Sequence, residues 1–303
     1  MTEGAFCATV LGAPKAGAST LVNALAGART LPAPVSTRPG VPVAVSFVRG
    51  EGDAVLVLPP EMAELVRRRM GELGDGPAGR IASRFLAPSL DEFVPVVGTS
   101  PVHSVLADLR SLLGGRSADS PMPVASLSVP AAWSPGVVTC LDGPYEAVAE
   151  LPCTGCLIVL DYAHLGTNEE AAMLRHAANV VKQVGADRVA IVVNRIDLWT
   201  PLDAETESER VTEYVSHVDV TFPISGIPVL TTSARWGLAG AAYLNNGTGA
   251  DTLELLYPSN GTPRAATELS LVANELWTAS GVGALRDEIL LPWSLTVADG
   301  VSG

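Results

Sequence analysis

Basic side chains are scarce in this sequence. Its 303 residues hold 19 lysines and arginines against 32 aspartates and glutamates, a formal net charge of −13. Apart from Arg67, Arg68 and Arg69 there is no basic run. A nucleic-acid-binding surface needs a basic face, so nucleic acid is not an expected partner. The three arginines read either as a contact for anionic lipid heads or as a solvated helix face. Cysteine is also rare: Cys7, Cys140, Cys153 and Cys156 do not make a disulfide framework in so long a chain. Cys153-Thr-Gly-Cys156 has the spacing of half a zinc site or a redox pair, but no second pair or nearby histidine completes it. The expectation is small buried apolar residues. No run approaches the ~18 apolar residues that mark a membrane span. The first residues lack the basic-then-apolar pattern of a secretory signal, which leads to the expectation of a cytoplasmic protein.

What is abundant is material for a core, with 48% hydrophobic and 17% charged residues, and for turns, with 29 glycines and 23 prolines. FCATVLGA is an apolar run ending in glycine, and STLVNALAG repeats apolar residues at helical spacing up to Gly27, giving strand, glycine loop and helix. Residues 41–58 are two β-rich runs around Arg-Gly-Glu-Gly-Asp and predict a hairpin. Residues 59–117 predict helices (PPEMAELVRRRMGEL, HSVLADLRSLL) joined by glycine- and serine-rich connections. VASLSVPA and GVVTCLD are predicted to pair as strands. CLIVLDY and RVAIVVN are apolar strands around the helix EEAAMLRHAANVVKQVG, which ends at Gly185. A polar helix near 203–217, the strand IPVLTTSA, and a helix–glycine–helix close complete the pattern. Apolar strands alternating with helices predict an α/β fold, a mostly parallel sheet covered on both faces, with ligands at the carboxyl ends of its strands.

The unusual polar clusters sit after such strands. Gly12 and Gly17 bracket a loop whose backbone N–H groups suit phosphate oxygens, with a helix dipole behind them. GAPKAGASTLVNAL, residues 12–25, is nearly G-x-x-x-x-G-K-[ST], but Ala18 stands where the lysine belongs and the nearby lysine is Lys15. Ser19 occupies the position of the hydroxyl ligand to Mg²⁺. Asn194-Arg-Ile-Asp197 follows RVAIVV. A carboxylate there accepts the ring N–H and exocyclic amine of guanine, a pair of donors adenine lacks. Thr232-Ser233-Ala234 is suited to present an N–H to the guanine oxygen. Asp142 closes GVVTCL, and Thr37 lies on the loop VSTRPG.

In this order and behind these strand types, the chain resembles the dynamin-like GTPases, especially the bacterial members, over nearly its whole length. GAPKAGASTLVNALAG resembles their phosphate loop and first helix, and STRPGVPVAVSFVRGEG their threonine loop. LDGPY stands at their D-x-P-G, NRIDLW and TTSARWG at the guanine side, and ELWTASGVGALRDEIL at the helical close of their heads. The resemblance implies a P-loop GTPase fold in one domain, 1–303, with 59–117 as a helical insertion and 262–292 as closing helices. It implies GTP/GDP and Mg²⁺ as ligands. Gly12, Ala13, Pro14, Lys15, Ala16, Gly17, Ala18, Ser19 and Thr20 would hold phosphate. Ser19, Thr37 and Asp142 would hold the metal, and Asn194, Arg195, Asp197, Ser233, Ala234 and Arg235 the base. Thr37, Lys15 and Arg38 are the candidate catalytic residues. Arg38 reads either as an arginine finger or as a surface residue orienting its loop. The implied partners are a second copy, in a head-to-head dimer, or a related GTPase chain. Membrane remodelling, with a peripheral location at a membrane, is also implied. The family's stalk and lipid-binding tip have no counterpart in these residues, so membrane work is expected to need a partner or further sequence.

Two departures fall on chemistry. Ala18 removes the amine that reaches the β- and γ-phosphates, and Tyr145 replaces the glycine whose N–H senses the γ-phosphate. Ala18 has three readings: a designed replacement of lysine, a pseudo-GTPase that binds partners without turnover, or a loop in which Lys15 supplies the charge. A nucleotide-blind interaction module is the rival class. An ATPase with a displaced lysine ranks third, because NRID argues for guanine.

Overall fold

The computed structural model describes residues 6–32, 41–73, 95–113, 122–198, 213–214, 226–258 and 264–300. Nine strands of these residues form one sheet: β1 (Phe6–Gly12), β2 (Val43–Val48), β3 (Val55–Val57), β4 (Val96–Val97), β5 (Ala125–Pro130), β6 (Val137–Asp142), β7 (Gly155–Asp161), β8 (Val189–Asn194) and β9 (Val229–Thr232). Their order is β4-β3-β5-β2-β6-β1-β7-β8-β9. β6, β1, β7, β8 and β9 run parallel. β2 is antiparallel to β6 and parallel to β5, and β3 is antiparallel to both β5 and β4. The mostly parallel sheet expected from the apolar runs is therefore present.

Burial follows the sequence strand by strand. β7 and β8 are buried at every position, as their unbroken apolar runs require for strands covered on both faces. β2 and β5 alternate buried and more exposed residues, with Val45, Phe47 and Leu127 inward and Ser46, Ser126 and Ser128 on the other face.

Two expected strand pairings do not occur. β2 and β3 do not form a hairpin, because β5 lies between them; β5 and β6 do not pair, because β2 lies between them. The connections, residues 49–54 and 131–136, are longer than a tight two-residue turn. Each spans two strand spacings, about 10 Å. In this interleaved arrangement β2 pairs on both edges, so its backbone donors and acceptors are satisfied without leaving the sheet.

Helices cover both faces. α1 (Ala18–Ala26) follows the glycine loop and ends on Gly27. α2 (Pro60–Leu73) and α3 (Thr99–Leu113) come from the segment expected to be helical, which also contributes β4. A single turn, α4 (Tyr145–Val148), precedes α5 (Asn168–Val184), which Thr167 caps by accepting from the Glu170 N–H at 3.2 Å. α6 (Ala234–Asn246), α7 (Ala250–Leu256) and α8 (Ala266–Ala279) come next. α9 (Val282–Ala284) continues through a π-helical stretch, Leu285–Leu290, into α10 (Leu291–Gly300). The helix expected near 203–217 lies outside the described residues apart from 213–214. On one face Val10, Leu21, Leu25, Leu106, Leu285 and Trp293 share a core; on the other Leu11, Ile158, Met173, Val180 and Val193 do. The four cysteines are reduced; Cys7, Cys140 and Cys156 are buried and Cys153 half-buried. Burial pushes the Cys7 thiol up to about 12 and that of Cys156 upward, so they behave as apolar filler. No helix of the described residues is long and apolar enough to cross a membrane.

Helix α6 starts at the candidate site and is held by α8 at very close range. A Cβ added to Gly240 would lie 2.5 Å from the Ala273 carbonyl oxygen and 2.9 Å from the Trp277 nitrogen. Glycine to alanine inside a helix ordinarily gains about 1 kcal/mol. Here backbone atoms oppose the new methyl, and overpacking of this kind costs about 1–3 kcal/mol. Gly240→Ala is therefore expected to lower the urea midpoint, not raise it, with an unchanged denaturant slope.

Candidate functional site

Five strand ends meet along one edge. β1 ends at Gly12, β6 at Asp142, β7 at Asp161, β8 at Asn194 and β9 at Thr232. Asp161, Asn194 and Thr232 are neighbours in register across β7, β8 and β9. Of the polar residues singled out in the sequence, Asp142, Asn194 and Thr232 thus collect at the carboxyl end of the parallel strands, where such sheets bind ligands.

The loop after β1 is shaped by two residues with positive φ. Lys15 has φ 72° and Gly17 φ 90°. The Ala16 N–H donates to the Ala13 carbonyl at 2.9 Å, closing the turn before α1 begins at Ala18. A Cβ on Gly17 would lie 2.2 Å from the Asn194 amide nitrogen, so no other residue fits there. Among the described residues only Lys15 and Arg195 are non-glycines with positive φ, and they lie in the loops after β1 and β8. Backbone strain gathers at functional sites in this way.

Asn194 joins the loops. Its side chain is 2% exposed; Nδ2 donates to the Ala16 carbonyl at 2.8 Å, and Oδ1 accepts from the Ala234 N–H at 2.9 Å and Thr232 Oγ1 at 3.2 Å. Ser233 Oγ donates to Asp197 Oδ1 at 2.8 Å and accepts from the Trp236 N–H at 3.2 Å, capping α6. Asp197 is thereby aimed by the same short segment that Asn194 holds. Arg195 turns its guanidinium to Asp161 Oδ2 at 2.7 Å, which also meets His164 Nδ1 at 2.8 Å. Arg235 is exposed at the start of α6.

A cavity of about 290 Å³ opens beside the glycine loop. Lys15, Ala18, Ser19, Asp142 and Tyr145 line it, as do three charged residues the sequence reading did not single out: Arg110, Glu146 and Glu169. Arg110 had a signal in the sequence, since it continues the Val102–Leu106 stripe of α3 with a charge. Lys15 itself is exposed. Tyr145 packs on His176 with ring centroids 5.3 Å apart, and burial followed by its contact with Glu146 pushes its hydroxyl up to about 12. Thr37 and Arg38 lie outside the described residues.

Ser19 Oγ donates to Asp142 Oδ2 at 2.8 Å, while Asp142 Oδ1 is buried without a hydrogen-bond partner. A hydroxyl and a carboxylate with an unused oxygen are hard donors of the kind Mg²⁺ takes. These two residues fit the ion. Burial raises the Asp142 carboxyl to about 6, against the opposing pull of Ser19 and Arg110.

The folded chain therefore holds the Asp142 proton more tightly than the unfolded one. Stability from this group is present at low pH and lost as pH rises from about 4 to about 6. Denaturant melts of the metal-free protein are expected to show Asp142→Asn gaining on the wild type over that interval, with the difference constant above it.

No protein-family model matches the chain, and no curated protein matches its sequence. Solved structures do match it. One, from work on an oligomerised bacterial dynamin pair that senses and tethers membranes at long range, aligns over 99% of this chain and 49% of its own, at 14% identity and a TM-score of 0.51. Another structure of such a pair covers 99% and 50% at 14% identity, with a TM-score of 0.49. The chain spans about half the length of these structures. The likeness is one of fold, shared by a chain whose mostly parallel nine-stranded sheet is covered by helices on both faces.

Proposed function

We propose that the chain is a guanine-nucleotide-binding protein of dynamin-like type, a GTPase head whose hydrolysis is weakened by Ala18. The observation that carries this reading is the Asn194 tie between the Ala16 carbonyl and the Ala234 N–H, with Asp197 oriented by Ser233. It couples a phosphate loop to a base-reading carboxylate, an arrangement with no purpose in a bland strand end. The continuous sheet supports treating 1–303 as one domain, with 59–117 as an insertion and 262–292 as closing helices.

In this reading Gly12 to Thr20 wrap the phosphates with backbone N–H groups, and the N-terminus of α1 faces their charge. Ser19, Asp142 and Thr37 would hold Mg²⁺, which neutralises charge on the phosphate oxygens. Asp197 accepts from guanine, while Ala234 and Arg235 border the base. Thr37 positions the attacking water, and Arg38 or Lys15 meets the charge that develops as the terminal phosphate leaves. The membrane-tethering pairs of similar fold support self-association or pairing with a related chain, and membrane remodelling carried out through that partner at the membrane surface.

The second reading, a pseudo-GTPase that docks partners without turnover, is favoured by Ala18 together with Tyr145 at the switch position.

Calorimetric titration of GTP, GDP and ATP with Mg²⁺ into the wild type and Ala18→Lys separates them. The proposed reading expects GTP and GDP to bind and ATP not to. It also expects the restored lysine to tighten binding by about 10–100-fold and to raise turnover by ~10²–10³. Binding without turnover in either protein selects the pseudo-GTPase. No binding of any nucleotide by either protein overturns the GTPase reading and leaves the fold as a docking module.

A further inference from the structure

We propose that Arg110, on helix α3, is the cation that meets the nucleotide phosphates in place of the missing P-loop lysine. The inference rests on the guanine-nucleotide reading above.

The starting point is a charge deficit. The cavity beside the glycine loop is lined by three carboxylates, Asp142, Glu146 and Glu169, and by two cations, Lys15 and Arg110. A polyphosphate entering this space needs positive charge at its walls. Lys15 is exposed at the loop tip, where water screens it. Arg110 is half-buried, and its effect on a phosphate is stronger for that.

Its position on α3 is unusual. Val102, Leu106, Leu109 and Leu113 are buried and form the face of α3 that packs on the core. Residues four apart share a helix face, so the row that runs through Val102 and Leu106 reaches Arg110 next. Leu106 and Arg110 both line the cavity. An apolar residue at 110 would extend the core; the guanidinium instead stands at the cavity wall.

Its neighbours are the parts of the site that touch metal and phosphate. Arg110 Nη1 donates to the Pro32 carbonyl at 3.2 Å, and Pro32 lies just before the loop that carries Thr37. The Asp142 carboxylate, a metal-ligand candidate, attracts the guanidinium, while burial works against its charge and lowers its pKa from the ordinary value. A phosphate at the cavity wall would add to the attraction that Asp142 already exerts on the guanidinium. Arginine suits the task because its planar fork binds phosphate oxygens in pairs and stays protonated at neutral pH. The position is also reachable only in three dimensions: a segment between β3 and β5 supplies what the loop after β1 lacks.

The test compares guanosine, GDP and GTP, each with Mg²⁺, in calorimetric titrations of the wild type, Arg110→Gln and Arg110→Ala. Arg110→Gln and Arg110→Ala are expected to weaken GDP and GTP by about 10–100-fold, the size of a lost charge-assisted contact. Guanosine should bind them as it binds the wild type, which also reports that the base side is folded. Adding Ala18→Lys to Arg110→Gln should recover most of the lost phosphate affinity, a coupling that a purely structural arginine would not show. Unchanged GDP and GTP affinity in both Arg110 variants overturns the inference while leaving the guanine reading intact. So does an equal loss for guanosine and GTP, which would mark Arg110 as structural. A wild type that binds none of the three ligands overturns the underlying reading, and this inference with it.

Discussion

One buried amide holds the candidate site together. Asn194 has hydrogen-bond partners on the loop after β1 and on the segment leading into α6, and it stands at the end of a strand buried at every position. A buried amide left without partners costs roughly 1–3 kcal/mol, so the two loops are fixed at the distance that satisfies both ends of the side chain. Gly17 is the complement of this contact: only its bare Cα leaves room for Nδ2. Ser233, by capping α6 and orienting Asp197, extends the same rigid unit to the base side. Everything else about ligand choice depends on this unit keeping its shape.

Much of this was written locally in the chain. FCATVLG followed by glycine and an apolar helix declares strand, loop and helix because each signal spans fewer than about fifteen residues. Asn194, Asp197 and Ser233 were found because they follow apolar strands directly. The pairing of β2, β3, β5 and β6 could not be found that way. Turn residues between two β-rich runs report that the chain reverses, not whether a third strand lies in the gap. The six-residue connections, compatible with either outcome, carried no decisive signal. Arg110 was hidden for a similar reason. Its row on α3 is visible in sequence, but the cavity that row reaches belongs to β1, β2 and β6, and only the folded chain brings them together.

Charge gives the molecule its particular character. An acidic chain has set its few cations with economy: Arg195 is spent on Asp161, and Arg110 stands in a cavity rimmed with carboxylates. The consequence is a cavity whose potential depends on a few side chains, not on a broad basic surface. Such a cavity responds sharply to protonation of Asp142 and weakly to charges elsewhere on the protein.

The register of β2 has a bearing on timing as well as shape. Val43 lies opposite Asp142, and Val45 and Phe47 face the core while Ser46 bonds Thr139 at 3.0 Å. A slip of one residue would turn Val45 and Phe47 outward and bury the serine. The arrival point of the preceding loop at the cavity is therefore ratcheted in two-residue steps of about 7 Å, each opposed by the core. Strand β2 therefore acts as a fixed abutment at the wall of the cavity, its Val43 held beside Asp142 by pairing on both edges.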